Sequence, residues 1–221
     1  AITPDYAEIA KLCDLWLNPK QGTDAALAQA FCHVIIKEFY LKQPSDYFLD
    51  YARRYTDLPM LVMVEGEGKS ARAGRFLRAS DLVDNLGQDN NPEWKTIALD
   101  QNGELVSPIG SIGYRWGESG RWNLENKEGK QNSEVTLQLS QKGSGETVEV
   151  GLDYFGGGEH PYFTSAKGDD IQYKTLPCRT LTLANGETAK VVTVFDLMLA
   201  NLGVDNGVGG ADKILAQTFR Q

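Results

Sequence analysis

Lys20-Gln21-Gly22-Thr23-Asp24 gathers a cation, a glycine, a hydroxyl and a carboxylate where a long segment of helical apolar spacing begins. Glycine lets backbone approach a ligand closely, and the first N–H groups of a helix have no partner inside it. The positive end of the helix dipole and Lys20 both favour an anion such as a pyrophosphate. Thr3-Pro4-Asp5 is a second turn, closing a short apolar start at Ile2. Asp5 and Asp24 suit a different task. A guanine edge presents adjacent N1–H and N2–H donors, and a carboxylate accepts both in bidentate fashion. A third turn, Thr56-Asp57-Leu58-Pro59, leads into Leu61-Val62-Met63-Val64. The same residues also have a plain reading, because Gly-Thr-Asp at a helix start is ordinary capping and Asp5 is an ordinary turn residue.

The elements that must carry these loops read as α/β. Tyr6–Leu12 has the composition of a short helix, and Leu15-Trp16-Leu17 is an apolar run ended by Asn18-Pro19, which predicts a strand. From Asp24, the residues Ala25, Ala26, Leu27, Ala30, Phe31, Val34, Ile35 and Phe39 form an apolar stripe at helical spacing, which predicts a helix running to about Leu41. Ser45 is placed to cap a second helix over Tyr47–Tyr55, with Phe48, Tyr51, Ala52 and Tyr55 on one side. Leu61–Val64 predicts a buried strand. In an open α/β sheet ligands bind beyond the carboxyl ends of the strands, where the first two loops then lie.

From Glu65 the composition changes to short segments punctuated by Gly, Asn and Ser. Strands are expected at Trp94–Leu99, Glu104–Val106, Glu134–Leu139 and Thr147–Val150, and Arg78–Leu86 alone has helical spacing there. Asn102-Gly103 and Asn185-Gly186 lie between apolar segments and predict hairpin turns. Leu181–Leu183 and Lys190–Val194 flank the second of these, and a helix follows through Phe195–Leu199. The expected organisation is an α/β segment over 1–64, a β-rich elaboration over 65–180, and a hairpin and helix over 181–221 that return to the main domain. The chain reads as a piece of a longer polypeptide: Ala1-Ile2 resembles the tail of a strand, and the last residues resemble the start of a further amphipathic helix.

With 221 residues, 41% of them hydrophobic, the chain is long enough for a real core. It has no run of ~18 apolar residues, so no transmembrane helix is expected. Acidic residues outnumber basic ones by 30 to 22, giving a net charge of −8, which argues against binding a nucleic-acid backbone. Cys13, Cys32 and Cys178 are dispersed, none is in a CxxC, and His33 and His160 are the only imidazoles, so no metal or cluster site is expected within these residues. His33 reads as a packed residue of the long helix and His160 as a surface residue. Arg53-Arg54 reads as a solvated helix face. Tyr114, Trp116 and Trp122, interleaved with Arg115 and Arg121, have the composition of a stacking platform but equally suit half-buried strands. Gly156-Gly157-Gly158 lacks the Lys-Ser/Thr of a phosphate-binding loop and reads as a turn.

Residues 3–36, TPDYAEIAKLCDLWLNPKQGTDAALAQAFCHVII, resemble the second dinucleotide-binding segment of the molybdopterin oxidoreductases. Within that superfamily, TPDYAEIAKLCDLWL followed by PKQGTDAA is similar to the catalytic alpha subunits of membrane-bound respiratory nitrate reductases. The likeness continues through DYARRYTDLPMLV, AGRFLRASDLVD, NNPEWKT, GSIGYRWGE, WNLE and YFGG, and so covers nearly the whole chain. The resemblance implies an incomplete dinucleotide-binding α/β sheet and a molybdenum ion held by two molybdopterin guanine dinucleotides. It also implies a [4Fe–4S] cluster whose ligands, like the aspartate ligand of the metal, lie before the segment that Ala1 begins. Thr3, Pro4 and Asp5 would face one guanosine end of the cofactor, and Lys20, Gly22, Thr23 and Asp24 would meet its guanine, ribose and diphosphate. Relatives carry a Thr-Asn turn near the pterin. Here Thr56-Asp57 replaces the amide with a charge, so that role is not carried over.

The implied activity is reduction of nitrate to nitrite with electrons from quinol, delivered through an iron–sulfur beta subunit and a haem-containing gamma subunit. The implied position is the cytoplasmic face of the inner membrane, held by those partners and without direct membrane contact from this chain. This piece alone is expected to be inactive. A chlorate or selenate reductase with the same cofactor is the neighbouring alternative. A nucleotide- or glycan-binding module without catalysis, or a scaffold that meets partners through residues 65–180, are the alternatives from other classes.

Overall fold

The computed structural model describes residues 1–6, 8–88, 91–108, 135–139, 145–153 and 171–204. The expected features at residues 114–122, 156–160 and the end of the chain lie outside them. The described residues form a mixed α/β structure whose sheets are small and antiparallel, and no dinucleotide-binding sheet is present among them.

The organising element is β1 (Leu61–Glu65), the strand expected from its unbroken apolar run. It pairs antiparallel with β2 (Arg72–Phe76) on one side and with β8 (Thr188–Thr193) on the other. β7 (Arg179–Thr182) completes the order β2-β1-β8-β7. Alternate residues of a strand face opposite ways, and both faces are covered here. Leu61, Met63 and Val191 join a core with Leu77, Leu82, Ile97 and Leu139. Val62 and Val192 join a second core with Val150, Leu176 and Cys178. That two-sided burial is why Leu61–Val64 is apolar throughout.

Two hairpins flank this sheet. β3 (Ala98–Leu99) and β4 (Leu105–Val106) are joined through the Asn102-Gly103 turn, where Gly103 has φ +84° and the Asp100 carboxylate accepts from the N–H groups of Asn102 and Glu104. β5 (Thr147–Asp153) and β6 (Ile171–Pro177) pair over seven residues. The Asn185-Gly186 turn joins β7 to β8 as expected.

The helices pack at one end. α1 (Asp24–Ile36) continues as a π-helical stretch over Lys37–Lys42, which matches the expected extent. α2 (Asp46–Tyr55) follows Ser45, which occupies the N-cap position without a side-chain cap bond. α3 (Val194–Asn201) leaves directly from β8. Ile36, Tyr40, Ala52, Phe195, Leu199 and Leu202 form the core they share, with the Tyr40 and Phe195 rings edge to face at 4.8 Å.

Five expectations are corrected by this arrangement. Tyr6–Leu12 forms only a 3-10 turn over Ala10–Leu12, and Leu15–Leu17 contributes a single bridge rather than a strand. Arg78–Leu86 is not a helix but two tight turns, Ala79–Asp81 and Val83–Gly87, with Asp84, Asn85 and Leu86 all near φ +52°. The cause is Asp81, whose carboxylate accepts from Arg78 N at 2.9 Å and from the two terminal guanidinium nitrogens of Arg75 at 2.7 Å each. Its carbonyl accepts from Ala184 N, so the chain is tied to the β7–β8 hairpin instead of propagating a helix. Trp94–Leu99 begins as a 3-10 turn over Pro92–Trp94, because Asn91 is left-handed and Pro92 opens the turn. Of the segment 135–139, only Val135 bridges, to Asp100.

Asp196 has no exposed surface. Burial pushes its carboxyl from an ordinary 3.8 up to about 6, against the opposing pull of hydrogen bonds from Leu139 N, Thr193 and Gln138. The folded state therefore holds a proton that the unfolded state has already lost between those values. The stability this adds is full below about pH 4 and lost as pH rises through about 6, a swing of about 3 kcal/mol. Asp196→Asn should abolish that swing. Urea unfolding of both proteins from pH 4 to 7 would show a difference in stability that changes sign or shrinks with pH; a constant difference would refute the assignment.

Candidate functional site

The first two candidate loops leave the same end of a parallel contact. Ile2 bridges Leu17 in parallel, with Leu17 N donating to Ala1 O at 2.9 Å and Thr3 N donating to Leu17 O at 3.1 Å. Thr3-Pro4-Asp5 and Asn18–Asp24 thus follow adjacent carboxyl ends. In the first loop the Thr3 hydroxyl accepts from Asp5 N at 3.3 Å, a turn that shapes the peptide before Asp5. Trp16 secures it from below: its indole N–H donates to Thr3 O at 2.9 Å and its ring meets Tyr6 edge-on. Trp16 was not singled out from sequence. An indole needs a partner for its N–H wherever it packs, and that was the available signal.

In the second loop Gly22 has φ +81°, the left-handed region that favours glycine, and a Cβ built there would meet nothing within 4 Å. Thr23 does not cap α1. Its hydroxyl donates to Lys20 O at 2.6 Å and its N–H donates to the same carbonyl at 3.1 Å. The loop therefore closes on itself, and the first-turn amides of α1 receive no cap from Thr23. Lys20, Gly22, Asp24 and Asp5 are exposed, while Thr3 and Thr23 are half-buried. The donor set is chemically apt for a diphosphate beside a base: one ammonium, uncapped helix amides, a glycine with open space around it, and two carboxylates.

The Thr56-Asp57-Leu58-Pro59 turn has a structural task. The Thr56 hydroxyl donates to Ala52 O at 2.5 Å, Met60 N donates to Asp57 O, and Leu58 O and Met60 O accept from the first amides of α3. It ties α2, β1 and α3 together in the antiparallel part of the molecule. Arg54 pairs with Asp50 at 2.8 Å on α2, and His33 donates through Nδ1 to Leu202 O at 2.8 Å, pinning α1 to the end of α3. His33 is thus a packed helix residue, as expected. A cleft of about 510 Å³ lies elsewhere, between β1 and the β7–β8 hairpin, with Glu65, Glu67, Glu187 and Lys190 on its walls. It touches neither candidate loop. Among the described residues no group of three or more His, Cys, Asp or Glu is placed to hold a metal, and no helix is long and apolar enough to cross a membrane.

No protein-family model matches the chain. Curated relatives do. The respiratory nitrate reductase 1 alpha chain of Escherichia coli is 59% identical over 209 residues, covering 94% of this chain and 17% of its own length. The chain is homologous to part of the respiratory nitrate reductase alpha chain. A Bradyrhizobium respiratory nitrate reductase alpha chain is 41% identical over 215 residues, covering 96% of this chain and 20% of its own length. The perchlorate reductase alpha subunit of Dechloromonas aromatica is 34% identical over 113 residues, covering 51% of this chain and 10% of its own length. The chain spans about a sixth of the length of the nitrate reductase alpha chains it matches.

Two threonines at helix starts should behave differently. Thr193 is a true cap, its hydroxyl oxygen accepting from Asp196 N at 3.0 Å, whereas Thr23 makes no such bond. Thr193→Ala should cost about 1–2 kcal/mol and Thr23→Ala about 0.5 kcal/mol or less in denaturant unfolding. Equal costs would mean that Thr23 caps α1 after all and leaves fewer amides free.

Proposed function

We propose that the chain is part of the catalytic subunit of a molybdenum-dependent respiratory nitrate reductase, and that its first two loops hold a guanosine end of molybdopterin guanine dinucleotide. The observation that carries the first half is the 59% identity running through 94% of the chain. Support for the second is the pair of loops leaving one end of the Ile2–Leu17 contact, with Gly22 open and the start of α1 uncapped by Thr23.

When bound, the cofactor supplies the redox chemistry by which nitrate gives up one oxygen atom and leaves as nitrite. The tasks of this chain are binding and orientation. Lys20 and the first amides of α1 neutralise the diphosphate, and Gly22 lets backbone lie against it. Thr23 holds the loop in shape through Lys20 O. Asp24 or Asp5 accepts the two guanine N–H donors, with Thr3 and Pro4 fixing the turn that carries Asp5. The metal and the [4Fe–4S] cluster take their protein ligands from outside residues 1–221, so this piece by itself reduces no nitrate.

The remaining features follow the same reading. An iron–sulfur beta subunit and a haem-bearing gamma subunit bring electrons from quinol and hold the enzyme at the cytoplasmic face of the inner membrane. Residues 1–64 serve the cofactor, 65–180 elaborate the domain, and 181–221 return to it, an arrangement supported by the pairing of β8 with β1. The perchlorate reductase relative favours a second reading, a related oxyanion reductase, but its identity is lower and spans half of this chain.

The test uses the full-length subunit assembled with its partners. A bidentate charge-assisted contact contributes about 1.5–3 kcal/mol, so Asp24→Ala should weaken cofactor retention about 10- to 100-fold. Molybdenum and guanine-nucleotide content should then fall together with nitrate turnover. Normal content and turnover would leave Asp24 a helix residue and remove the loop from the cofactor site.

A further inference from the structure

Apolar surface is distributed very unevenly over the described residues. Thirteen of the fifteen large hydrophobic side chains left exposed belong to residues 1–55, and only Val83 and Trp94 lie beyond them. α1 and its π-helical continuation show the pattern most clearly. Ala30, Ile36 and Tyr40 are buried on one side. Phe31, Val34, Ile35 and Phe39 stand on the opposite side by the helical period, each between 42% and 57% exposed. These four belong to the expected apolar stripe, of which Ala30 is buried while they stay exposed.

A face of this kind on a soluble protein marks an interface. We propose that it is an internal seam, packed in the full-length protein against further parts of the same polypeptide and not against a lipid surface or another subunit. Two observations select that occupant. The nitrate reductase alpha chains that match are about six times the length covered here, so ample chain of the same kind exists to cover it. The Ile2–Leu17 contact, which leads into α1, is parallel. A parallel bridge, although single here, is a contact of the kind that α/β layers use and cover on both faces, so cover by further chain fits it better than lipid does. A membrane surface fits poorly: interfacial helices carry Lys and Arg beside their apolar face, and residues 1–55 hold seven acidic groups against six basic ones. The seam is independent of the cofactor assignment, since it requires nothing of Asp5, Lys20 or Asp24.

Cys13 and Cys32 lie exposed in this same region, whereas Cys178 is buried in the second core, so the three thiols report on the cover. The full-length alpha chain, purified without its partner subunits, would be treated with a maleimide and read peptide by peptide by mass spectrometry. Cys32 and Cys13 should react at least about 100-fold more slowly than in the guanidinium-unfolded chain, and the buried Cys178 should serve as the protected reference. Fast labelling of Cys32 in the native chain overturns the seam. Protection that appears only with partner subunits, only with anionic lipid vesicles, or only as chain concentration rises overturns the occupant in favour of a subunit, a membrane or a second copy. Val34→Glu in the full-length chain adds a second readout, expected to raise Cys32 labelling or abolish soluble chain; unchanged labelling and yield would count against the seam.

Discussion

The structure hangs on a carboxylate with no exposed surface. Asp196 Oδ2 accepts from Leu139 N at 3.1 Å and from the Thr193 hydroxyl at 2.8 Å, while Thr193 accepts in turn from Asp196 N. That reciprocal pair starts α3 directly from the end of β8, so the central sheet and the helical layer are joined without a loop. The bond to Leu139 fastens the 135–139 segment to the same point, and Tyr40 reaches it by donating to Gln138 Oε1 at 2.6 Å. Four parts of the chain thus meet at one buried acid: the α1 continuation, residues 135–139, β8 and α3. A buried charge is costly unless it is hydrogen-bonded, and the converging donors offset only part of that cost here, since burial still raises the carboxyl to about 6.

From that point the packing divides cleanly. Residues 58–108 and 171–204 close around β1 on both faces, with Leu61, Ile97, Leu176 and Val191 at 0% exposure. Residues 1–42 contribute few buried side chains among the described residues, and they meet the rest through Ile36 and Tyr40 in the shared core, the Tyr40 bond to Gln138 and the His33 bond to Leu202 O. The candidate cofactor loops sit on this lightly anchored part.

What could be read from the sequence follows the same division. Leu61–Val64, the two Asn-Gly hairpins and the helix after Thr193 are local signals whose partners are close at hand, and they form as expected. Arg78–Leu86 misled because Ala79, Leu82 and Leu86 satisfy helical spacing and successive tight turns equally well. The choice was made by Asp81, which is held below the ordinary carboxylate range by Arg75 and bonds across to Ala184. That contact joins residues a hundred positions apart, beyond the reach of periodicity. In the Lys20–Asp24 loop the permissive glycine at Gly22 was legible, whereas its positive φ and the choice of Thr23 to bond Lys20 O rather than α1 were not, since one hydroxyl can do either.

The α1 stripe is the most instructive case. Phe31, Val34, Ile35 and Phe39 recur at the i, i+3, i+4, i+8 spacing of one helix face, a pattern that by itself reads as facing a core. Yet the helix has two apolar faces, and the smaller one meets α2 and α3. A helix that is apolar nearly all round belongs in the interior of a larger protein. The homology supplies that larger protein, and the two observations then explain each other. The start of α1 also carries the Gly22-Thr23-Asp24 loop, so the orientation of the candidate cofactor site is set by how both faces of this helix are packed. One face is fixed by the contacts of Tyr40, Ile36 and His33; the other must be fixed by whatever covers Phe31 and Val34.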